Sequence, residues 1–143
     1  MGKRPLQRTV RIFANKTDHV RLRHEESQIQ KNCFYYFRLA HPDLARLFFA
    51  VPNGGKRNAR EAAIMKAEGV TAGVADALLL VPRGDFHGLC IEFKTATGRQ
   101  SEHQKQWQAD AEKQGYRYEI IKNLDTFIAT IENYLSLQPK TVL

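Results

Sequence analysis

The sequence predicts one α/β domain, a mixed central sheet flanked by helices with a β-hairpin at its centre. Three observations point there. Short β-rich runs alternate with longer runs of helical period, each bounded by Gly, Pro, Asn or Ser. Only turn residues separate the two most β-rich runs, so those two form a hairpin. A chain of 143 residues with 43% hydrophobic content suits a single core.

The elements follow in order. Glu25–Leu39 is expected as a helix, because Ile29, Cys33 and Phe37 recur at i, i+4 and i+8. His41-Pro42 ends it, since the residue before proline is pushed out of the helical region. Arg46–Val51 reads as a strand closed by Pro52-Asn53-Gly54-Gly55. Asn58–Glu68 is a second helix, with Asn58 and Glu61 at capping-box spacing and Gly69 as its stop. Val74–Val81 and Leu89–Thr95 form the hairpin around Pro82, Gly84, Asp85 and Gly88. Ser101–Gln114 is a third helix, opened by Ser101 with Gln104 and closed by Gly115. A strand over Tyr116–Ile121 and a helix over Asp125–Leu137, with Ile128, Ile131 and Leu135 on one side, complete the order.

Charge and composition narrow the function. The net charge is +7, and residues 1–24 carry seven Lys and Arg against Asp18 alone. A basic arm over 1–24 on a nearly neutral body, 25–143, suits a polyanion such as nucleic acid; the plainer reading is a solvated tail. No run approaches the roughly 18 apolar residues that cross a bilayer, so no membrane partner is expected. No apolar segment follows the basic N-terminus, which does not read as a secretory signal. Cys33 and Cys90 sit in apolar contexts, which favours buried thiols of a reducing, cytoplasmic compartment over the alternative of a single disulfide. His19, His24, His41 and His87 share no zinc spacing with them. Nucleophile elbow, P-loop and dinucleotide fingerprint are all missing.

Two strands that otherwise read as core contain acids: Asp76 in Gly73-Val-Ala-Asp-Ala-Leu-Leu-Leu and Glu92 in Leu89-Cys-Ile-Glu-Phe-Lys-Thr. A buried, unpaired carboxylate costs several kcal/mol, so each needs a partner or a metal. Alternation places Cys90, Glu92 and Lys94 on one face and Leu89, Ile91 and Phe93 on the other. A turn centred near Gly84-Asp85 sets Asp76 opposite residue 93, so Asp76, Glu92 and Lys94 converge. Hard oxygens in such a pair suit Mg2+ or Mn2+, and a lysine beside them suits phosphodiester hydrolysis. Glu-x-Lys alone is a weak signal, and a plain Glu92–Lys94 ion pair is the structural alternative.

Taken as an ordered set, several motifs are specific. They are Glu26-x-x-x-Gln30, Val51-Pro-Asn-Gly-Gly-Lys-Arg, Gly69-Val-Thr-Ala-Gly-Val-Ala-Asp76, Ile91-Glu-Phe-Lys-Thr and Gly98-Arg-Gln-Ser-Glu-His-Gln104. On these residues the chain resembles the PD-(D/E)xK nuclease superfamily, and within it the small stand-alone VRR-NUC nucleases common in phages and mobile elements. The resemblance spans roughly residues 25–135. It departs at Ala75, where the family usually has proline, a change in strand-entry rigidity and not in a ligand.

The resemblance implies a restriction-endonuclease-like αβββαβ core. Asp76 and Glu92 would ligate Mg2+ (or Mn2+), Phe93 would offer its backbone carbonyl, and Lys94 would be the catalytic lysine. Glu26 would be the first-helix acid and Gln104 the supporting glutamine. Glu26 lies three residues from Ile29 and seven from Cys33, which turns it toward the sheet, but Glu25 is four from Ile29 and stays an alternative. Gln104 and Ser101 also suit a plain helix cap. The loop Asn53, Gly54, Gly55, Lys56, Arg57 and Arg60 suits a DNA phosphate, as do Arg99 and His103 more weakly.

The expected activity is a Mg2+-dependent, structure-selective DNA endonuclease. Its substrate would be branched DNA such as four-way (Holliday) junctions, cut by a homodimer whose two-fold axis matches the junction. Trp107 and Tyr134 are candidate dimer contacts. Compartment follows the cysteines: cytoplasmic, the host's if the chain is phage-encoded. The rivals are a flap, single-strand or restriction-type nuclease, and a catalytically silent DNA-binding module on the same fold.

Overall fold

The structure, a computed structural model, describes residues 16–52 and 57–139. Residues 1–15 of the basic arm and Asn53, Gly54, Gly55 and Lys56 of the expected phosphate loop lie outside the described residues. The elements run α1 (Lys16–Ala40), a 3-10 segment (Pro42–Leu47), β1 (Phe48–Ala50), α2 (Ala59–Ala67), β2 (Ala77–Leu79), β3 (Leu89–Phe93), α3 (Glu102–Lys113), β4 (Arg117–Ile121) and α4 (Leu124–Ser136). The four strands lie in chain order, with β1–β2 and β2–β3 antiparallel and β3–β4 parallel. This is the mixed, helix-flanked α/β sheet expected, with the β2–β3 hairpin at its centre.

Alternation along the strands divides the interior. One face carries Phe48, Ala77, Leu79, Leu89, Ile91, Phe93 and Ile121, packed under α1 (Cys33, Phe34, Phe37) and α4 (Phe127, Ile131, Tyr134). Aromatic rings make its centre: Phe34 stacks on Phe48 at 4.3 Å, and Phe37 and Phe127 flank Phe48 at 4.6 and 5.8 Å. The other face is smaller. Ala75, Cys90 and Tyr118 are buried there beneath Trp107 of α3. Both cysteines are buried free thiols, and burial pushes Cys33 to about 12 and Cys90 to about 11.

Several element ends differ from the sequence reading, each for a physical reason. Helix α1 starts nine residues before Glu25, so Lys16–His24 of the basic arm are helical. Nothing in those nine residues is buried, hence no apolar stripe marks them. Pro42 opens a 3-10 turn that the pattern did not announce. The hairpin register pairs Ala77 with Ile91, which sets Asp76 opposite Glu92, one residue from the expected 93. Tyr134 is no dimer contact: it is fully buried, and its hydroxyl donates to the Val81 carbonyl at 2.6 Å. Among the described residues, no helix is long and apolar enough to cross a membrane.

Candidate active site

Asp76 sits where β2 begins and two ladders end. Its backbone carbonyl accepts from Val51 N–H at 2.8 Å, which extends the β1 pairing. Its Oδ2 accepts from the Phe93 backbone N–H at 2.7 Å, so a side chain continues the hairpin ladder. Burial raises the Asp76 pKa above the usual carboxylate value, against the opposing pull of that N–H and of Lys94. The Phe93 ring is buried in the aromatic core, so Phe93 can serve the site only through its backbone.

Glu92 lies at the middle of the sheet and is 0% exposed. Neither carboxylate oxygen has a hydrogen-bond partner. Lys94, two residues on along the same face, brings Nζ to 3.8 Å from Oε1, and its side chain is 15% exposed. Burial raises the Glu92 pKa most; Lys94 lowers it, Gln100 and Tyr118 lower it further, and the Asp76 charge raises it. Gln100 and Tyr118 thus stand near the carboxylate without closing a well-formed hydrogen bond on it, and Tyr118 Oη is itself buried and unpartnered. Gln100 Nε2 donates to Gln108 at 2.8 Å, and Gln108 donates onward to Glu112 at 2.5 Å, so Gln100 is tied to α3.

Two glycines set the walls. Gly73 has φ of 83°, and a Cβ there would fall 2.3 Å from the His103 carbonyl, so the loop before Asp76 lies directly on the start of α3. Gly98 closes a turn by donating to Thr95 at 3.0 Å. A Cβ on it would lie 3.3 Å from Lys94 Cβ and Cδ, tighter than an ordinary contact. The lysine stem is held by that turn. The result is a cleft of about 680 Å³ lined by Gln30, Val51, Asp76, Lys94, Ser101 and Gln104, among others.

Glu26 is half-buried on the sheet side of α1. Burial raises its pKa, while Lys94 lowers it and Asp76 raises it, which places it within their electrostatic reach. Glu25 is exposed and pairs with Arg21 at 3.7 Å along the helix, so Glu26 is the half-buried one of the two acids. Gln104 both lines the cleft and caps α3: its Oε1 accepts from Ser101 N–H at 2.8 Å and its own N–H donates to Ser101 Oγ at 3.2 Å. Arg57, Arg60 and Arg99 are exposed, as is His103, which borders the cleft.

Among the described residues, no three His, Cys, Asp or Glu side chains cluster as a ready cation cage. The carboxylates of Asp76 and Glu92 with the Phe93 backbone are a more open donor set than three clustered acids. Its chemistry still fits a hard divalent cation. Two carboxylates stand opposite each other across the hairpin, and one is buried without a hydrogen bond.

Sequence reasoning missed Gln100 and Tyr118. Tyr118 alternates correctly toward the α3 face, but an aromatic in a strand reads as core, and its ring does pack 6.1 Å from Trp107. Gln100 lies inside the Gly98–Gln104 motif, but no spacing there marks it as a neighbour of Glu92.

A solved structure described as a VRR_NUC domain protein matches the chain with a TM-score of 0.71 and 27% identity, covering 80% of this chain and 91% of that one. No family model matches the chain, and no curated protein matches it.

Proposed function

We propose that this chain, a nuclease domain of the VRR-NUC family with a restriction-endonuclease-like fold, hydrolyses DNA phosphodiester bonds with the help of Mg2+ or Mn2+. One observation carries the reading: the fully buried Glu92 carboxylate, opposite Asp76, with no hydrogen bond to either oxygen and the Lys94 ammonium at 3.8 Å as its ion partner. Folding alone gives no reason to keep an acid there. Asp76, Glu92 and the Phe93 backbone would hold the cation, with Glu26 approaching from α1. Bound there, a divalent cation supplies Lewis acidity toward water and phosphate oxygen.

The remaining roles belong to the chain. Lys94 extends to the cleft along a stem fixed by Gly98, so its ammonium can meet negative charge as it develops on the phosphate. Gln104 orders the start of α3 beside it and lines the same cleft. Phe93 N–H fixes one oxygen of Asp76 and leaves the other for the site.

The substrate in this reading is branched DNA, such as a four-way junction, and the working unit is a homodimer. An apolar groove of about 390 Å³ between β2, β3 and α3, lined by Leu78, Leu80, Cys90, Trp107, Ala111 and Tyr116, is the face we assign to the second copy. Trp107, which the sequence left as core or dimer contact, packs against Tyr118 and would serve both roles here. The test is a panel of end-labelled four-way, flap, linear and single-stranded DNAs incubated with Mg2+ or Mn2+. Metal-dependent cutting that favours the branched forms is expected. Equal cutting of linear duplex would overturn the branch selectivity, and no cutting of any DNA would overturn the nuclease reading.

A further inference from the structure

A second groove, about 810 Å³, runs between α1 and the edge strand β1 and shares Gln30 and Ala50 with the candidate catalytic cleft. Its chemistry differs from that of the cleft. Lys31, Arg38 and Arg46 line it, all exposed, and no acid is among its lining residues. None of the three cations forms an ion pair among the described residues; Arg38 lies over the Phe34 ring at 5.5 Å. The floor is the stacked pair Phe34 and Phe48, and a further ring stands at its rim, Tyr35 at 69% exposed.

Lys31, Tyr35 and Arg38 follow at i, i+4 and i+7, so cation, ring and cation form one stripe on α1. With Ser27 included, the stripe extends for about 16 Å, roughly five phosphate steps of a B-form strand. Cations alone suit any polyanion. An exposed flat ring interleaved with them suits unpaired bases, whose faces are free to stack, and not the closed stack of a duplex. An acidic peptide would use the charges but not the ring.

We infer that this groove receives a single strand of DNA as it leaves the catalytic cleft, with bases against Tyr35 and phosphates against Lys31, Arg38 and Arg46. The inference rests on the nuclease reading and deepens it. The substrate class becomes DNA with an unpaired stretch next to the scissile bond, a branch point or a flap.

The test uses the full chain carrying Lys94→Ala, without metal, and fluorescence anisotropy with a labelled single strand of about 12 nucleotides and its duplex. Adding Tyr35→Ala is expected to weaken single-strand binding about tenfold and to change duplex binding less than about twofold. Adding Lys31→Ala with Arg46→Ala is expected to flatten the log–log salt slope for the single strand by about 1.4, two phosphate contacts' worth. Unchanged affinity and slope would overturn the inference. So would a Tyr35→Ala protein that binds DNA normally but shows a smaller mass by light scattering, because the groove would then be a protein interface. The two readings fail separately. Chain with Lys94 intact that cuts DNA while Tyr35→Ala changes nothing loses only the groove. A Tyr35-dependent single-strand affinity without any cutting loses only the nuclease.

Discussion

Leu89, Ile91 and Phe93 point from one face of β3 into a core shared with Phe37, Phe127 and Ile131, while Cys90 and Glu92 point from the other toward Tyr118 and the α3 side. On the first face even the polar atom is provided for, since Tyr134 Oη donates to the Val81 carbonyl. On the second, both oxygens of Glu92 and Tyr118 Oη are buried with no hydrogen-bond partner, and the Lys94 ammonium at 3.8 Å faces the carboxylate charge. The same strand therefore serves stability on one side and stores an unmet electrostatic demand on the other. A buried carboxylate without a partner opposes folding by several kcal/mol, whereas a close-packed apolar side chain favours it by about 1.5–3 kcal/mol. The difference teaches that the apolar face of β3 anchors the strand while its polar face carries a buried carboxylate without a hydrogen bond.

The largest expected break falls on the polar face. Lys94→Ala should lower cleavage by about a thousandfold, because the ammonium acts mainly on charge that develops in the transition state. Melting temperature without metal should also fall by several degrees, since Lys94 is the cation 3.8 Å from the buried Glu92 carboxylate. Cleavage and melting measured on the same preparation check both halves.

Asp76 straddles the comparison, being both a site acid and a backbone clip. Repulsion between neighbouring acids would suggest that Asp76→Ala leaves the fold untouched or relieved. The 2.7 Å bond to Phe93 N–H says otherwise. Removing the acceptor leaves a buried donor unpaired, at a cost of about 1–3 kcal/mol. Asp76→Asn keeps an acceptor and should recover most of that stability without recovering cleavage. Urea unfolding of the two variants side by side distinguishes the clip from the charge.

A smaller effect sharpens the contrast further. Tyr118→Phe removes one buried hydroxyl and keeps the ring against Trp107. If that hydroxyl helps orient Glu92 for a cation, Mn2+ affinity measured without DNA should fall about tenfold. Stability should change little, because an unpartnered hydroxyl contributes little to it. Unaltered Mn2+ affinity would leave Tyr118 as packing alone.

The apolar side of the comparison was the more legible one in the sequence. Ile29, Cys33 and Phe37 announced α1, Ser101 with Gln104 announced the cap of α3, and the acids inside two β-rich runs announced Asp76 and Glu92. These are local signals, carried by periodicity and by residue types that do not belong where they stand. What the sequence concealed depends on long-range contact. Nothing buried marks Lys16–His24, so an exposed extension of α1 looks like an arm. The hairpin register turned on one residue in an irregular turn. Tyr118 and Gln100 meet Glu92 only because β3 and β4 pair in parallel and α3 holds Gln100 from above. Tyr134 looked like a surface tyrosine until its partner, 53 residues away, was in place.

The central claim is that the polar face of β3 awaits a divalent cation, and a thermal melt of wild type and Glu92→Gln with and without Mn2+ tests it most directly. Without metal, the sign follows from the raised pKa of Glu92. Above the ordinary glutamate value of 4.5 the folded state holds this proton more tightly than the unfolded one, so wild-type stability falls as pH rises through that window and stays lowered above it. Glu92→Gln lacks that loss and should melt higher than wild type at pH 7.5. Mn2+ at a hundred times Kd should then raise wild type by about 2.7 kcal/mol, several degrees, and leave the variant nearly unmoved. Equal melting of the two proteins without metal, together with an equal response to Mn2+, would contradict the account.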